Sequence, residues 1–242
     1  MEIDQGTRCK PIGFIRSCYG EKFGIPRQAG LVNAAPATLA LLPSFSQETV
    51  DGLADFSHLW LLFLFHAHLG AGWQPKVRPP RLGGNRRVGV FASRAPFRPN
   101  PIGLSAVELL GIERQGSATV LRLGGVDLLD GTPVLDIKPY IPYADSHPQA
   151  RAGFASTAPR ERPVAFSEVA ELQVRRQDPD GKRQLRRLIQ QVLAQDPRPA
   201  YLDRRPARDQ FGLRLFDLEI RWRVRGEGFL VISVESVDRS TS

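Results

Sequence analysis

Cysteine is scarce in this chain: only Cys9 and Cys18 occur in 242 residues. A lone C-x8-C pair supplies neither a zinc-ligand pattern nor a disulfide framework, and it fits a reducing compartment. Long apolar runs are missing as well. The most hydrophobic stretch, residues 59–69, is broken by His66 and His68, and spanning a bilayer takes about 20 residues. The opening MEIDQGTRCK has no apolar signal core, so a soluble, cytoplasmic protein is expected. The glycine signatures of the common nucleotide folds are absent too. No G-x-G-x-x-G joins a strand to a helix, and Gly83-Gly84-Asn85 is not followed by the Lys-Ser/Thr pair of a phosphate loop. A turn accounts better for those glycines. Acidic residues are in deficit, 25 against 33 Lys plus Arg, which leaves a net charge of +8. That excess says nothing about fold but favours a polyanionic partner.

What is present reads as two compositions. Residues 11–17, 39–42, 59–66, 87–92, 104–112, 119–123 and 134–139 are short β-branched or aromatic runs between Gly and Pro, and each predicts a strand. Residues 47–54 predict one short helix. Many short strands with turns between them point to a sandwich or barrel, not a doubly wound sheet. Over 146–163 the sequence turns to His, Pro, Ala, Ser and Arg, like a linker. Beyond it, 166–174 predicts a strand, and 182–193 predicts a helix with Leu185, Leu188, Ile189 and Val192 on one stripe. Residues 213–225 and 228–237 predict a hairpin turning at Gly226. The division is therefore 1–150, a linker at 151–163, and a small α+β domain at 164–242.

Chemistry concentrates in a few places. Residues 76–100 carry Lys76, Arg78, Arg81, Arg86, Arg87, Arg94 and Arg98 without an Asp or Glu. Arginine's planar fork holds phosphates and stacks on bases, and Phe91 and Phe97 offer stacking faces; a solvated basic rim is the plainer alternative. Asp127, Asp130 and Asp136 gather carboxylates in an otherwise basic chain. Such groups can bind a ribose diol or an amine, or accept a proton, although Asp130-Gly131 is equally a hairpin signal. His58 and His66, eight apart on an apolar run, fall on one face of a strand. No further metal ligands accompany them, so hydrogen-bonded strand-end histidines are the simpler reading. Trp60 and Trp73 read as core or rim aromatics. In the tail, DPRPAY with Arg204, Arg205 and Arg208 reads as a second basic, proline-stiffened loop that presents side chains to a partner, or equally as a plain connection.

Several long strings carry a resemblance. PIGFIRS with EKFGIPRQ, FSHLWLLFLFH, VRPPRLGG with GVFASRAPFRPNPIGLS, and VDLLDGTPVLDIKPYIPYADS resemble the tRNA-methyltransferase O family, and DPRPAY and FDLEIRWRV extend the match. The resemblance implies a single-sheeted β-barrel over 1–150, binding S-adenosylmethionine without a Rossmann sheet. It also implies a homodimer with donor sites near the interface and a C-terminal domain that engages tRNA. The implied reaction is N6-methylation of threonylcarbamoyladenosine at position 37, beside the anticodon of threonine tRNA. Donor contacts would fall on Pro26, Arg27, Gln28, His66, Ala67, Arg94, Leu104, Asp127, Leu128, Leu129 and Asp130. Arg81, Arg86, Arg87, Arg98, Asn100, Lys138 and Tyr140 would meet the tRNA, with Arg94 and Arg98 facing the threonyl carboxylate. Asp136 would accept the proton. No metal and no membrane partner are expected. The competing expectation is a non-catalytic basic RNA-binding protein on the same barrel; a membrane-surface protein is disfavoured because no basic amphipathic helix with aromatic anchors is evident.

Overall fold

The computed structural model describes residues 8–83, 86–198 and 209–237. The turn at Gly84-Asn85 and the tail residues Tyr201, Arg204, Arg205 and Arg208 lie outside them.

Side chains alternate across a strand, so runs with every second residue apolar each bury one face. Here that pattern gives β1 (Gly13–Ser17), β2 (Pro36–Leu41) and β3 (His58–Leu64), followed by the two-residue β4 (Lys76–Val77) and β5 (Val88–Gly89), then β6 (Ile102–Gln115), β7 (Ala118–Gly124) and β8 (Pro133–Pro139). Six of these close an antiparallel barrel in the order β1-β2-β7-β6-β3-β8, which leaves no unpaired edge in that sheet. Ile15, Leu39, Leu59, Leu61, Phe63, Leu121, Leu123 and Val134 point inward and are buried. Of the predicted strands, 87–92 shrinks to β5, which pairs with β4 and runs into a single 3-10 turn. The predicted helix at 47–54 is two short 3-10 turns.

The Asp130-Gly131 turn is not a hairpin. It precedes β8, and β8 pairs with β1 and β3 instead of with β7. The Asp130 carboxylate serves the turn itself, with Oδ1 accepting the Ser17 amide at 2.9 Å and Oδ2 lying 3.7 Å from Arg16.

After the barrel come α1 (Pro142–Asp145), β9 (Val164–Phe166), α2 (Glu168–Gln177), α3 (Leu185–Ala194), β10 (Gln210–Leu215), β11 (Leu218–Arg225) and β12 (Gly228–Ser236). The strands form a sheet in the order β10-β11-β12-β9. The strand expected over 166–174 is corrected to a helix. Ser167 caps α2 by accepting the Ala170 amide, Glu168 and Glu171 occupy its first turn and Arg175 and Arg176 its last. Each choice suits the helix dipole. The stripe Leu185, Leu188, Ile189 and Val192 is buried on α3 as its spacing predicts. The segment expected as one strand over 213–225 is interrupted at Phe216-Asp217, so β10 and β11 form a hairpin of their own. The buried apolar cluster runs without a break from the barrel into α3 and this sheet.

Candidate active site

At the end of the barrel where β3 finishes and β6 begins, a cavity of about 440 Å³ opens, within the size range of small-molecule sites. Its walls come from four separate segments. The loop after β1 contributes Lys22, Pro26, Arg27 and Gln28; the end of β3 and the 3-10 turn beyond it contribute Phe63, His66, Ala67 and His68. The segment before β6 and its first residues add Arg94, Arg98, Leu104 and Ser105, and the loop before β8 adds Asp127, Leu128 and Leu129.

Local chemistry explains how the walls hold their shape. A Cβ on Gly103 would lie 2.2 Å from the Phe63 ring, so that ring reaches the cavity floor only because residue 103 is glycine. The Lys22 ammonium donates to the Ala67 carbonyl at 3.1 Å and ties the two rims together. The Arg94 guanidinium donates to the Gln28 side-chain carbonyl. Arg98 donates to the Ser93 carbonyl at 2.8 Å and the Val90 carbonyl at 3.2 Å, with its cation 5.5 Å from the Phe91 ring centre. These bonds fold the 90–93 turn. The Trp60 indole donates to Asp145 at 2.9 Å, docking α1 against the outer wall.

Charge in the cavity is lopsided. Lys22, Arg27, Arg94 and Arg98 all border it, whereas Asp127 is the one carboxylate among the described residues that line it. Burial pushes the Asp127 carboxyl above its ordinary value, and the Ser105 hydroxyl, the Asp127 and Ala29 amides and the Arg94 charge offset part of that shift. Its Oδ1 is buried without a hydrogen-bond partner among the described residues. An unmatched buried carboxylate oxygen is costly to maintain, and such perturbed groups cluster at functional sites. His68 is held below its ordinary value by burial first, then by Lys22 and His66. The buried Cys18 thiol is pushed up to about 12 by burial, so it stays protonated and unreactive at neutral pH.

Two family models match the sequence: the tRNA-methyltransferase O N-terminal domain over residues 14–146 and the TrmO C-terminal domain over 159–237. The chain belongs to the tRNA-methyltransferase O family. Within that family it is 50% identical over 228 residues to the tRNA (adenine(37)-N6)-methyltransferase of Escherichia coli strain K12, covering 93% of this chain and 96% of that one. It is 54% identical over 213 residues to a putative S-adenosylmethionine-dependent methyltransferase, RcsF, of Pseudomonas aeruginosa, covering 88% and 90% of the two. A crystal structure of TrmO from Pseudomonas aeruginosa superposes with a TM-score of 0.81 at 44% identity, over 96% of this chain and 99% of that one.

Among the positions singled out by the tRNA-methyltransferase O resemblance, Pro26, Arg27, Gln28, His66, Ala67, Arg94, Leu104, Asp127, Leu128 and Leu129 meet in this cavity, and Asp130 does not. Asp136 is also outside it. In the β3–β8 register Ile137 pairs with the inward Leu61, so Asp136, opposite Leu62, points out of the barrel, where it forms a 2.9 Å ion pair with Lys138. Tyr140 sits beside it on that outer side, its ring 5.5 Å from Trp60. Arg86, Arg87 and Asn100 are exposed, while Arg81 is turned toward the Thr157 carbonyl. The two histidines separate: β3 ends at Leu64, His66 belongs to the following 3-10 turn, and only it reaches the cavity. Trp60 lines the cavity and Trp73 is exposed. Lys22 and Ser105 were not anticipated. Nothing in a run such as EKFGIPRQ shows that its lysine crosses to Ala67, and Ser105 would pass for one polar residue in an apolar strand.

Proposed function

We propose that this protein transfers a methyl group from S-adenosylmethionine to N6 of adenosine 37 in tRNA, acting on the threonylcarbamoyl-modified base of threonine tRNA. The observation that carries the reading is Asp127, the one carboxylate among the described residues lining a cavity otherwise bordered by cations. S-adenosylmethionine carries an ammonium, a ribose diol and a carboxylate, and this residue set fits all three. The Asp127 carboxylate accepts from the ammonium or a ribose hydroxyl, and the Arg27 and Arg94 side chains face carboxylates, those of donor and threonyl group alike, through charge-assisted bonds. Pro26, Leu104, Leu128 and Leu129 supply apolar wall. When bound, the donor brings an already activated methyl group.

Catalysis then rests on alignment of the acceptor nitrogen. Arg98, spent on two carbonyls, shapes the rim, and Asp136 is paired to Lys138 on the outer face, which also carries the cavity-lining Trp60 and Leu104. Arg86, Arg87, Asn100, Lys138 and Tyr140 border the approach for the anticodon loop. On the small C-terminal domain the sheet face bearing Arg214, Arg221 and Arg223 is exposed, which suits contact with the tRNA backbone. A cytoplasmic homodimer completes the reading; Ile102, Leu104 and Phe91 remain exposed beside the cavity, at 40%, 51% and 75%, and a partner copy would cover them.

The test is mass analysis of the anticodon-loop nucleoside. Threonylcarbamoylated threonine tRNA incubated with protein and S-adenosylmethionine should gain one methyl on the modified base. Binding of the tRNA without that gain would leave a non-catalytic RNA-binding protein.

A further inference from the structure

The loop between β1 and β2 supplies Lys22, Ile25, Pro26, Arg27 and Gln28 to the cavity, yet its residues 18–30 contain no strand or helix. Ordering such a loop costs conformational entropy, and its buried backbone groups need partners. Much of that support comes from the C-terminal sheet. The Phe216 amide, in the β10–β11 turn, donates to the Cys18 carbonyl at 2.8 Å. The Arg214 amide donates to Glu21 Oε1 at 3.0 Å. Gly24, at φ +95, lies against Leu213 and Val192, each 3.8 Å from where its Cβ would stand. Glu21 and Lys22 are consecutive but reach opposite ways, one back to β10 and one forward to Ala67 across the cavity.

The same support extends to the opposite wall. Ser17 Oγ donates to the Leu128 carbonyl at 2.7 Å, and the Asp130 amide donates to the Tyr19 carbonyl at 2.8 Å. Residues 17–19 are thus gripped from behind by the Phe216 turn while they grip the segment that carries Asp127, Leu128 and Leu129. Phe216 itself adopts φ +56, a conformation unfavourable for a bulky residue and retained where surrounding contacts over-determine it. Those contacts are present: Arg183 lies over its ring at 5.2 Å and pairs with Asp217 at 3.2 Å.

We propose that the β10–β11 hairpin is a positioning element for the donor cavity, with Glu21 and Phe216 as positioning residues that hold the loop in its binding shape. The proposal rests on the reading of the cavity as the S-adenosylmethionine site. A loop that must be ordered at the moment of binding lowers apparent affinity in proportion to the time spent out of shape. Loss of the Glu21 acceptor should therefore weaken donor binding even with no tRNA present.

The experiment compares the full chain with Glu21→Ala and Glu21→Gln, by calorimetric titration with S-adenosylmethionine and by the KM for the donor. Glu21→Ala should weaken donor binding in the absence of tRNA and raise the donor KM, each by about fivefold. Glu21→Gln, which keeps a side-chain carbonyl to accept the Arg214 amide, should restore wild-type binding. Donor affinity unaltered in Glu21→Ala, even with a lowered melting temperature, would overturn the proposal. So would Glu21→Gln as weak as Glu21→Ala, since charge and not the hydrogen bond would then be acting. Failure of the wild-type chain to bind the donor would overturn the cavity reading itself, and the proposal with it.

Discussion

Asp127→Asn is expected to weaken S-adenosylmethionine binding by about ten- to a hundredfold while raising the melting temperature of the ligand-free protein. The two effects share one cause. Burial raises the Asp127 carboxyl above its ordinary value, and a raised folded-state value means that the native protein holds this proton more tightly than the unfolded chain does. Stability from this group is therefore fully present below its unfolded-state value and is lost as pH rises through the folded-state value, where the charge must be carried in a site that solvates it poorly. Asparagine never carries that charge, so the ligand-free fold gains. Donor binding runs the other way: the ammonium favours the ionised acceptor, so affinity should fall as pH drops through the raised value. In Asp127→Asn that dependence should be flat. Calorimetric titration from neutral pH into the acid range, paired with thermal melts, reads both. Equal donor affinity in the two proteins would remove Asp127 from the binding site.

Trp222→Ala should cost about 3–5 kcal/mol of stability, or roughly 10 °C in melting temperature for a chain of this size. The indole is fully buried, stacked on Phe211 at 4.8 Å and met edge-on by Phe229 at 4.7 Å. Removing it leaves a cavity that three strands cannot close without moving. Trp222→Phe should cost much less than the lost volume suggests, because the Trp222 Nε1 is buried with no hydrogen-bond partner among the described residues and the substitution discards that unmet donor. Thermal denaturation of both variants decides the point; equal losses would mean that the indole nitrogen is satisfied in solution.

Much of the barrel was legible because its strands obey one rule. A short apolar or β-branched run between turn signals, as in HLWLLFL and ATVLRLG, reads as a strand, and β3 and β7 follow it. The same rule misled at 166–174. Ala170, Leu172 and Val174 alternate, but Leu172 and Val169 are exposed and only Ala170 and Val174 are buried on α2. The decisive signals were local ones, a Ser cap with acids after it and arginines at the far end, and the apolar count outweighed them. Asp130-Gly131 failed differently. The dipeptide does mark a turn, but which strands flank it depends on how the barrel closes, and no local pattern encodes that.

The site was legible by a different route. The family strings picked out positions 26–28, 66–67, 94, 104 and 127–129, and barrel closure brings them to one cavity. Residue chemistry alone could not have joined them, since Gln28 and Arg94 meet only through the fold. It equally could not have separated Asp127 from Asp136. Both are aspartates flanked by apolar residues, and one bulge in the β3–β8 register turns Asp136 outward.

A crystal of the protein grown with S-adenosylmethionine tests the central claim most directly. One donor per chain is expected in the cavity between the β1–β2 loop and the His66 turn, with a donor nitrogen or ribose oxygen within hydrogen-bond distance of the Asp127 carboxylate. Donor density elsewhere on the protein, or in the cavity without a contact to Asp127, would contradict that placement.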